Sequence, residues 1–295
     1  MRTSRKSLFY GCLIVFGFSA MNLSASGKYG SSSMNVNTDG ELLTRCGQIT
    51  VRISETPAVT SEEHTSLPAG SPVDVTAPRN GGIQVVGWNG DHFDVTVCKA
   101  ADASSSSLLG AVRTETSGGN LSVTGPSEEG WTAYVLIKAP SSARMSLHST
   151  NGPIGLQEVR GTFSADAKNG PISLRNNDAS IDATTQNGPI SLAGGSGQVR
   201  LDAKNGPVSL NLNGSTWENG SLDARTQNGP VSLKLSRDFR SGVVVESAGR
   251  GPVSCRCDGA RETRTDDLYR AEFGSGSRPI VHLTTKNGPV SIRNE

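Results

Sequence analysis

Acidic and basic side chains recur at set places through the second half of this 295-residue chain. Asp166, Asp182, Asp202, Lys204, Asp223 and Arg225 occupy alternate positions of strand-like runs, which puts them on one face. Carboxylates about 5–9 Å apart can act as acid and base on a glycosidic bond. Repeated Asp and Lys columns are also what solubility alone would place on a wet face. No nucleophile elbow, phosphate-binding glycine loop or metal-binding His pair occurs. His64, His92, His148 and His282 are scattered. Asp91-His92-Phe93-Asp94 could supply metal ligands, but reads better as a turn entering a strand. The chain is therefore read as having no catalytic residue, no cofactor and no metal. The residues expected to touch a ligand are Asp166, Lys168, Asp202, Lys204 and Arg225 on the strand face. Trp217 joins them from one insertion, and Arg264 and Tyr269 from the charge-rich excursion 256–279.

What must position these residues is a repeat. Asn-Gly-Pro-Ile/Val-Ser-Leu/Ile, or a close variant, starts at Asn151, Asn169, Asn187, Asn205, Asn228, Arg250 and Asn287. The first four copies are 18 residues apart, and later intervals lengthen to 23, 22 and 37. Weaker copies start at Asn80 and Gly118. After each turn Ile or Val alternates with Ser. Before it, runs such as Ile181-Asp-Ala-Thr-Thr185 alternate apolar with polar residues, the pattern of half-buried strands. A proline in every copy excludes helix.

An Asn-Gly pair usually joins an antiparallel hairpin. Here the following proline sets an extended exit, and identical copies can lie parallel and in register. The sequence predicts an all-β protein, a parallel β-solenoid of about 18-residue coils with a less regular N-terminal β part. Asn169-Gly170, Asn187-Gly188, Asn205-Gly206, Asn228-Gly229 and Asn287-Gly288 are its structural turns, with positive φ expected at glycine. Stacked asparagines would stand about 4.8 Å apart, close enough to form a ladder. The residue before each turn runs Thr150, Lys168, Gln186, Lys204, Gln227, Lys286, which separates the lysines.

The remaining organisation follows from composition. Arg2, Arg5 and Lys6 precede an apolar stretch over 8–18, with small residues at 24–26, so 1–26 reads as a signal peptide. An uncleaved anchor is the alternative. Residues 27–40 form a polar, mobile leader, 41–144 an irregular β region continuous with the solenoid, and 145–295 the regular solenoid. Residues 55–72 and 101–107 read as loops. Cys46 and Cys98 each border a strand-like run and are expected to pair, a closure worth up to about 4 kcal/mol. Cys255 and Cys257 read either as a disulfide or as two small buried thiols. Lys+Arg 28 against Asp+Glu 27 leaves no basic excess for nucleic acid. Hydrophobic residues at 34% and aromatics at 5% suit coils that each bury little and must stack to fold.

Asn80-Gly-Gly-Ile-Gln-Val-Val-Gly-Trp88, Asp94-Val-Thr-Val97, Ala139-Pro140 and Gly274-Ser-Gly-Ser together carry a resemblance. So does the closing His282-Leu-Thr-Thr-Lys-Asn-Gly-Pro-Val-Ser-Ile292. Over roughly 42–295 the chain resembles the bacterial β-strand-repeat family of unknown function known as putative adhesins. The resemblance implies a β-helical envelope or surface protein without established enzyme activity, and it carries over no catalytic residue. The chain departs from it in the near-constant proline, in Arg250, and in the long 256–279 excursion. The expectation is an exported, non-enzymatic binding protein of periplasm, outer surface or medium. Its partner would be a glycan or a surface protein, not nucleic acid, with no stable transmembrane span once the signal is removed. The alternatives are a polysaccharide-cleaving enzyme and a passive scaffold that self-associates edge to edge.

Overall fold

A computed structural model describes residues 34–37, 43–53, 56–127, 130–248, 251–257, 259–274 and 280–294. The signal peptide and Arg250 lie outside them, as does all of the leader except Met34–Asn37, a strand antiparallel to Thr50–Ile53. The described residues are all-β, in one three-stranded sheet and two large ones of eleven and twelve strands, with short 3-10 turns at Cys46–Gln48 and Ala103–Ala111.

The two arms of each Asn-Gly-Pro turn lie in different sheets, so none is a hairpin. Asp178–Thr185 belongs to the twelve-stranded sheet and Ile190–Ala193, after Asn187-Gly188-Pro189, to the eleven-stranded one. Each copy pairs in parallel with its neighbour, residue for residue. In the eleven-stranded sheet Ile154 faces Ile172, then Ile190, Val208 and Val231. In the twelve-stranded sheet Phe163 faces Ile181, then Val199 and Leu222. The 18-residue spacing thus appears as lateral register.

Both sheets are mixed. Toward the N-terminal part, Trp131–Ala139, His92–Ala101 and Val59–Pro68 run antiparallel. At the other end Val243–Ser247, Tyr269–Phe273 and Arg261–Arg264 do the same. Val59–Pro68 falls in a segment expected to be loop. Its Ser-Glu-Glu-His-Thr run has no apolar alternation because it is an edge strand, exposed over most of its length. The weak copy at Asn80 takes its expected place, since Ile83–Gly87 pairs with Ile154–Gln157. The weak copy at Gly118 does not: Asn120–Thr124 lies in the opposite sheet, beside Val73–Thr76.

The inner faces of the two sheets meet in one core. Ile83, Ile154, Ile172, Ile190, Val208, Val231 and Val290 line one side, and Leu147, Phe163, Ile181, Leu201 and Leu222 the other, all buried. Burying one such side chain contributes about 1.5–3 kcal/mol, so a single copy cannot offset the entropy of ordering its 18 or more residues. A second, smaller core lies on the other side of Trp131–Ala139, where Tyr134 and Leu136 meet Leu43, Ile49, Val51 and Ala100. Cys46 and Cys98 form the expected disulfide at its margin, with Cα atoms 5.4 Å apart. Cys255 and Cys257 are joined to each other.

Two further expectations are corrected. The turn glycines do not have positive φ: Gly170, Gly188, Gly206, Gly229 and Gly288 are absent from the left-handed region. They are glycine because a Cβ on each would overlap the backbone carbonyl of the glycine one rung below, as Gly188 would with Gly170. The copies also do not stack in chain order throughout. Val290–Asn294 is inserted between Val231–Leu235 and Val253–Arg256, and Val281–Thr285 between Leu222–Thr226 and Val243–Ser247. The chain skips one rung, builds the next, and returns to fill the gap with its last copy. Asn287 supplies the amide that the Arg250 copy lacks, and its Nδ2 donates to Asn228 Oδ1 at 2.9 Å.

Candidate functional site

The turns build one edge of the molecule. Asn80, Asn151, Asn169, Asn187, Asn205, Asn228 and Asn287 form a continuous ladder, each Nδ2 donating to the Oδ1 of the asparagine below at 2.9–3.0 Å. Buried hydroxyls brace the same corner. Thr185, Thr226 and Thr285 Oγ1 donate to the carbonyls of Gly170, Gly206 and Gly229 at 3.2, 2.8 and 3.0 Å. The position two before each asparagine runs Ser149, Ala167, Thr185, Ala203, Thr226 in the sequence. Its alternation of Ser or Thr with Ala was the missed signal. A ladder whose amides satisfy one another is a structural device, and its side chains are spoken for.

The outward face of the twelve-stranded sheet carries the strand residues singled out above. One column runs His148, Asp166, Thr184, Asp202, Arg225, Thr284. Its neighbour runs Ser164, Asp182, Arg200, Asp223, His282. Asp166, Asp202 and Arg225 are thus brought together, and Lys168 and Lys204 stand exposed at the corner with Gln186 between them. This face is partly self-satisfied. Arg225 Nε and Nη2 donate to both oxygens of Asp223 at 3.0 and 2.6 Å. Those hydrogen bonds, with the Asp223 charge, push the guanidinium pKa up. Thr184 donates to Asp166 at 3.2 Å. Near the strand ends, Ser196 Oγ and Asn219 Nδ2 donate to Asp178 Oδ1 at 2.6 and 3.2 Å and hold its carboxyl below the usual range.

Two other candidates are not surface groups. Trp217 is 4% exposed, packs in the main core, and donates from Nε1 to the Gly197 carbonyl at 2.9 Å. Tyr269 is also 4% exposed; its hydroxyl donates to Glu262 at 3.2 Å, and burial, with Glu262 adding, pushes its pKa up to about 12. Arg264 remains exposed, with its guanidinium 5.9 Å from the Tyr269 ring centre.

The remaining chemistry-bearing groups serve packing. Phe93 is core, Asp94 binds Lys138 at 2.8 Å, and His92 bonds to Asp91, so that segment is a strand entry. Cys255, Cys257 and Glu262 each bring a potential ligand atom within 4.8 Å of the others. Sulfurs bonded to one another are not the thiolates that a metal needs. The concavity bordered by Leu43, Asp94, Leu136 and Lys138 has room for about one water. No helix among the described residues is long and apolar enough to cross a membrane.

No family model matches the chain, and no curated protein matches it. Solved structures do. A putative cell adhesion protein from Clostridium sporogenes is 14% identical, with 80% of this chain and 100% of that one covered and a TM-score of 0.34. A putative adhesin from Parabacteroides distasonis is 7% identical, with 78% and 97% covered and a TM-score of 0.34. A putative lipid binding protein from the same organism is 12% identical, with 79% and 96% covered and a TM-score of 0.29. The bacterial adhesin names agree with the resemblance carried by the sequence. Likeness at this level says nothing of ligand or role.

Proposed function

We propose that the chain is an exported, non-enzymatic β-solenoid that binds surface ligands in the manner of an adhesin. The observation that carries this reading is the in-register parallel stacking of Ile172, Ile190, Val208 and Val231, and of their partners in the facing sheet. Such stacking turns each outward sequence position into a row of side chains in register across the strands. Repetitive polar faces, with no deep pocket among the described residues, suit extended partners more than small substrates. An apolar stretch at 8–18 behind Arg2, Arg5 and Lys6 supports export.

Two features count against the alternatives. Two of the four carboxylates that would serve as an acid–base pair are engaged, Asp223 by Arg225 and Asp166 by Thr184. The sheet edges are charged: Arg261, Glu262 and Arg264 on one, Glu62 and Glu63 on another, Arg113 and Glu115 on a third. Charge on an edge discourages pairing with a second copy. The test is a glycan and matrix-protein array with the secreted chain. Binding to a defined subset supports the reading. No binding across broad panels, or cleavage of a polysaccharide that is lost in Asp202→Asn, overturns it.

A further inference from the structure

The outward face of the eleven-stranded sheet differs from its counterpart. One row is Gly155, Ser173, Ser191, Ser209, Ser232, Ser291, Ser254 in spatial order. The row beside it is Gln157, Arg175, Ala193, Asn211, Lys234, Arg293, Arg256. No carboxylate stands in either row. Lys234, Arg293 and Arg256 are therefore cations on three successive strands, each level with the next, and each is two residues along its strand from a serine. The other sheet interleaves its charges, as in Asp182, Arg200, Asp223.

Like charges directly opposite one another on adjacent strands repel, so solubility alone does not produce this row. Protection of an exposed edge explains Arg256, which lies on the edge strand. It does not explain Arg293 and Lys234, one and two strands further in. The order also depends on the returning last copy. With the copies in chain order, Arg256 would stand next to Lys234 and Arg293 at the edge. The observed insertion puts Arg293 in the centre, flanked on both sides. Among the described residues neither Arg293 nor Arg256 makes an ion pair.

We infer that Lys234, Arg293 and Arg256, with Ser232, Ser291 and Ser254 beside them, bind an anionic polysaccharide laid across the strands. Evenly spaced cations match a polymer that carries a carboxylate or sulfate at regular intervals, and the serine hydroxyls can donate to its oxygens. The two rows contain no aromatic side chain on which bases could stack, which disfavours single-stranded nucleic acid. This inference rests on the adhesin-like reading and supplies its ligand class.

The experiment measures binding of the purified chain to immobilised heparin, polygalacturonate, neutral dextran and a single-stranded oligonucleotide at several salt concentrations. Comparison is with Lys234→Gln/Arg293→Gln/Arg256→Gln and, as a control at an exposed edge residue of the other sheet, Arg113→Gln. Equal melting temperatures establish that the triple variant folds. Binding to heparin or polygalacturonate that weakens about tenfold or more in the triple variant supports the inference, with the salt slope falling by roughly one per cation removed. Arg113→Gln binds like the parent. Heparin against polygalacturonate tells sulfate from carboxylate. Binding to neutral dextran alone, anionic binding unchanged in the triple variant, or oligonucleotide binding in place of both polysaccharides overturns the inference and leaves the general reading standing. Absence of binding to all four probes overturns the inference, and the general reading is then decided by the glycan and matrix-protein array.

Discussion

At the scale of single residues, the turn glycines show why a type can be legible while its reason is not. Repetition in the sequence marks Gly188 as obligatory, and positive φ was the local explanation. The actual constraint is the carbonyl of Gly170 one rung below, a contact between residues 18 apart that no local rule anticipates. The two explanations make different predictions. If φ were left-handed, Gly188→Asn would be tolerated better than Gly188→Ala, because asparagine visits that region readily. A steric limit makes both destabilising by similar amounts, about 1–3 kcal/mol or more. Thermal unfolding of the two variants checks this; a clear advantage for asparagine would restore the φ explanation. Asp178 offers a pH-dependent counterpart. Its carboxyl titrates below the ordinary value because Ser196 and Asn219 donate to it. Stability from that site is present above the unfolded-state pKa of about 3.9 and is lost as pH falls through the lower folded value. Asp178→Asn melts lower than the parent at pH 7, and the gap narrows between pH 4 and pH 2. Parallel melting curves across that range would show that the bonds carry no stability.

At the scale of elements, strand positions and facing were readable because the period of two survives in nearly every copy. The order of the last three copies was not, since Val231-Ser-Leu, Val253-Ser-Cys and Val290-Ser-Ile offer the same alternation to a neighbour. What separates them is one residue outside the strands: Asn228 is followed in space by Asn287, not by the Arg250 copy. The second core escaped notice for a related reason. Trp131–Ala139 buries both faces, so it shows a continuous apolar run in place of an alternation that would flag its two-sided packing. Cysteine pairs placed in the serine row test the strand order. Adjacent strands lie about 4.8 Å apart, within reach of a disulfide, and alternate strands about twice that, beyond reach. Ser232→Cys/Ser291→Cys cross-links under mild oxidation, and Ser232→Cys/Ser254→Cys does not. The reverse result, read as a mobility shift on a non-reducing gel, would mean that the copies follow chain order.

At the scale of the whole molecule, the stack is close to one-dimensional along its parallel middle: each rung touches the rungs beside it and the facing strand of its own turn. Stability then depends on neighbours, and damage spreads along the stack. The ends differ from the middle. Antiparallel strands extend both sheets at either end, and the Cys46–Cys98 disulfide ties the segment before Thr50–Ile53 to His92–Ala101. Leu192 sits in the parallel middle, 3% exposed, between Leu174 and Leu210. Leu192→Asp places a charge there with no partner, at a cost of several kcal/mol. Because Leu174 and Leu210 each lose their packing neighbour, hydrogen exchange should accelerate together across Ile172–Arg175, Ile190–Ala193 and Val208–Leu212 and in the facing Asp178–Thr185 and Val199–Ala203. Strands His92–Ala101 and Trp131–Ala139 have a second core and a covalent tie, and they keep their protection longer. If faster exchange were confined to Ile190–Ala193, each rung would be stable by itself. The outward rows would then belong to independent units, too loosely held to stay in register with one another.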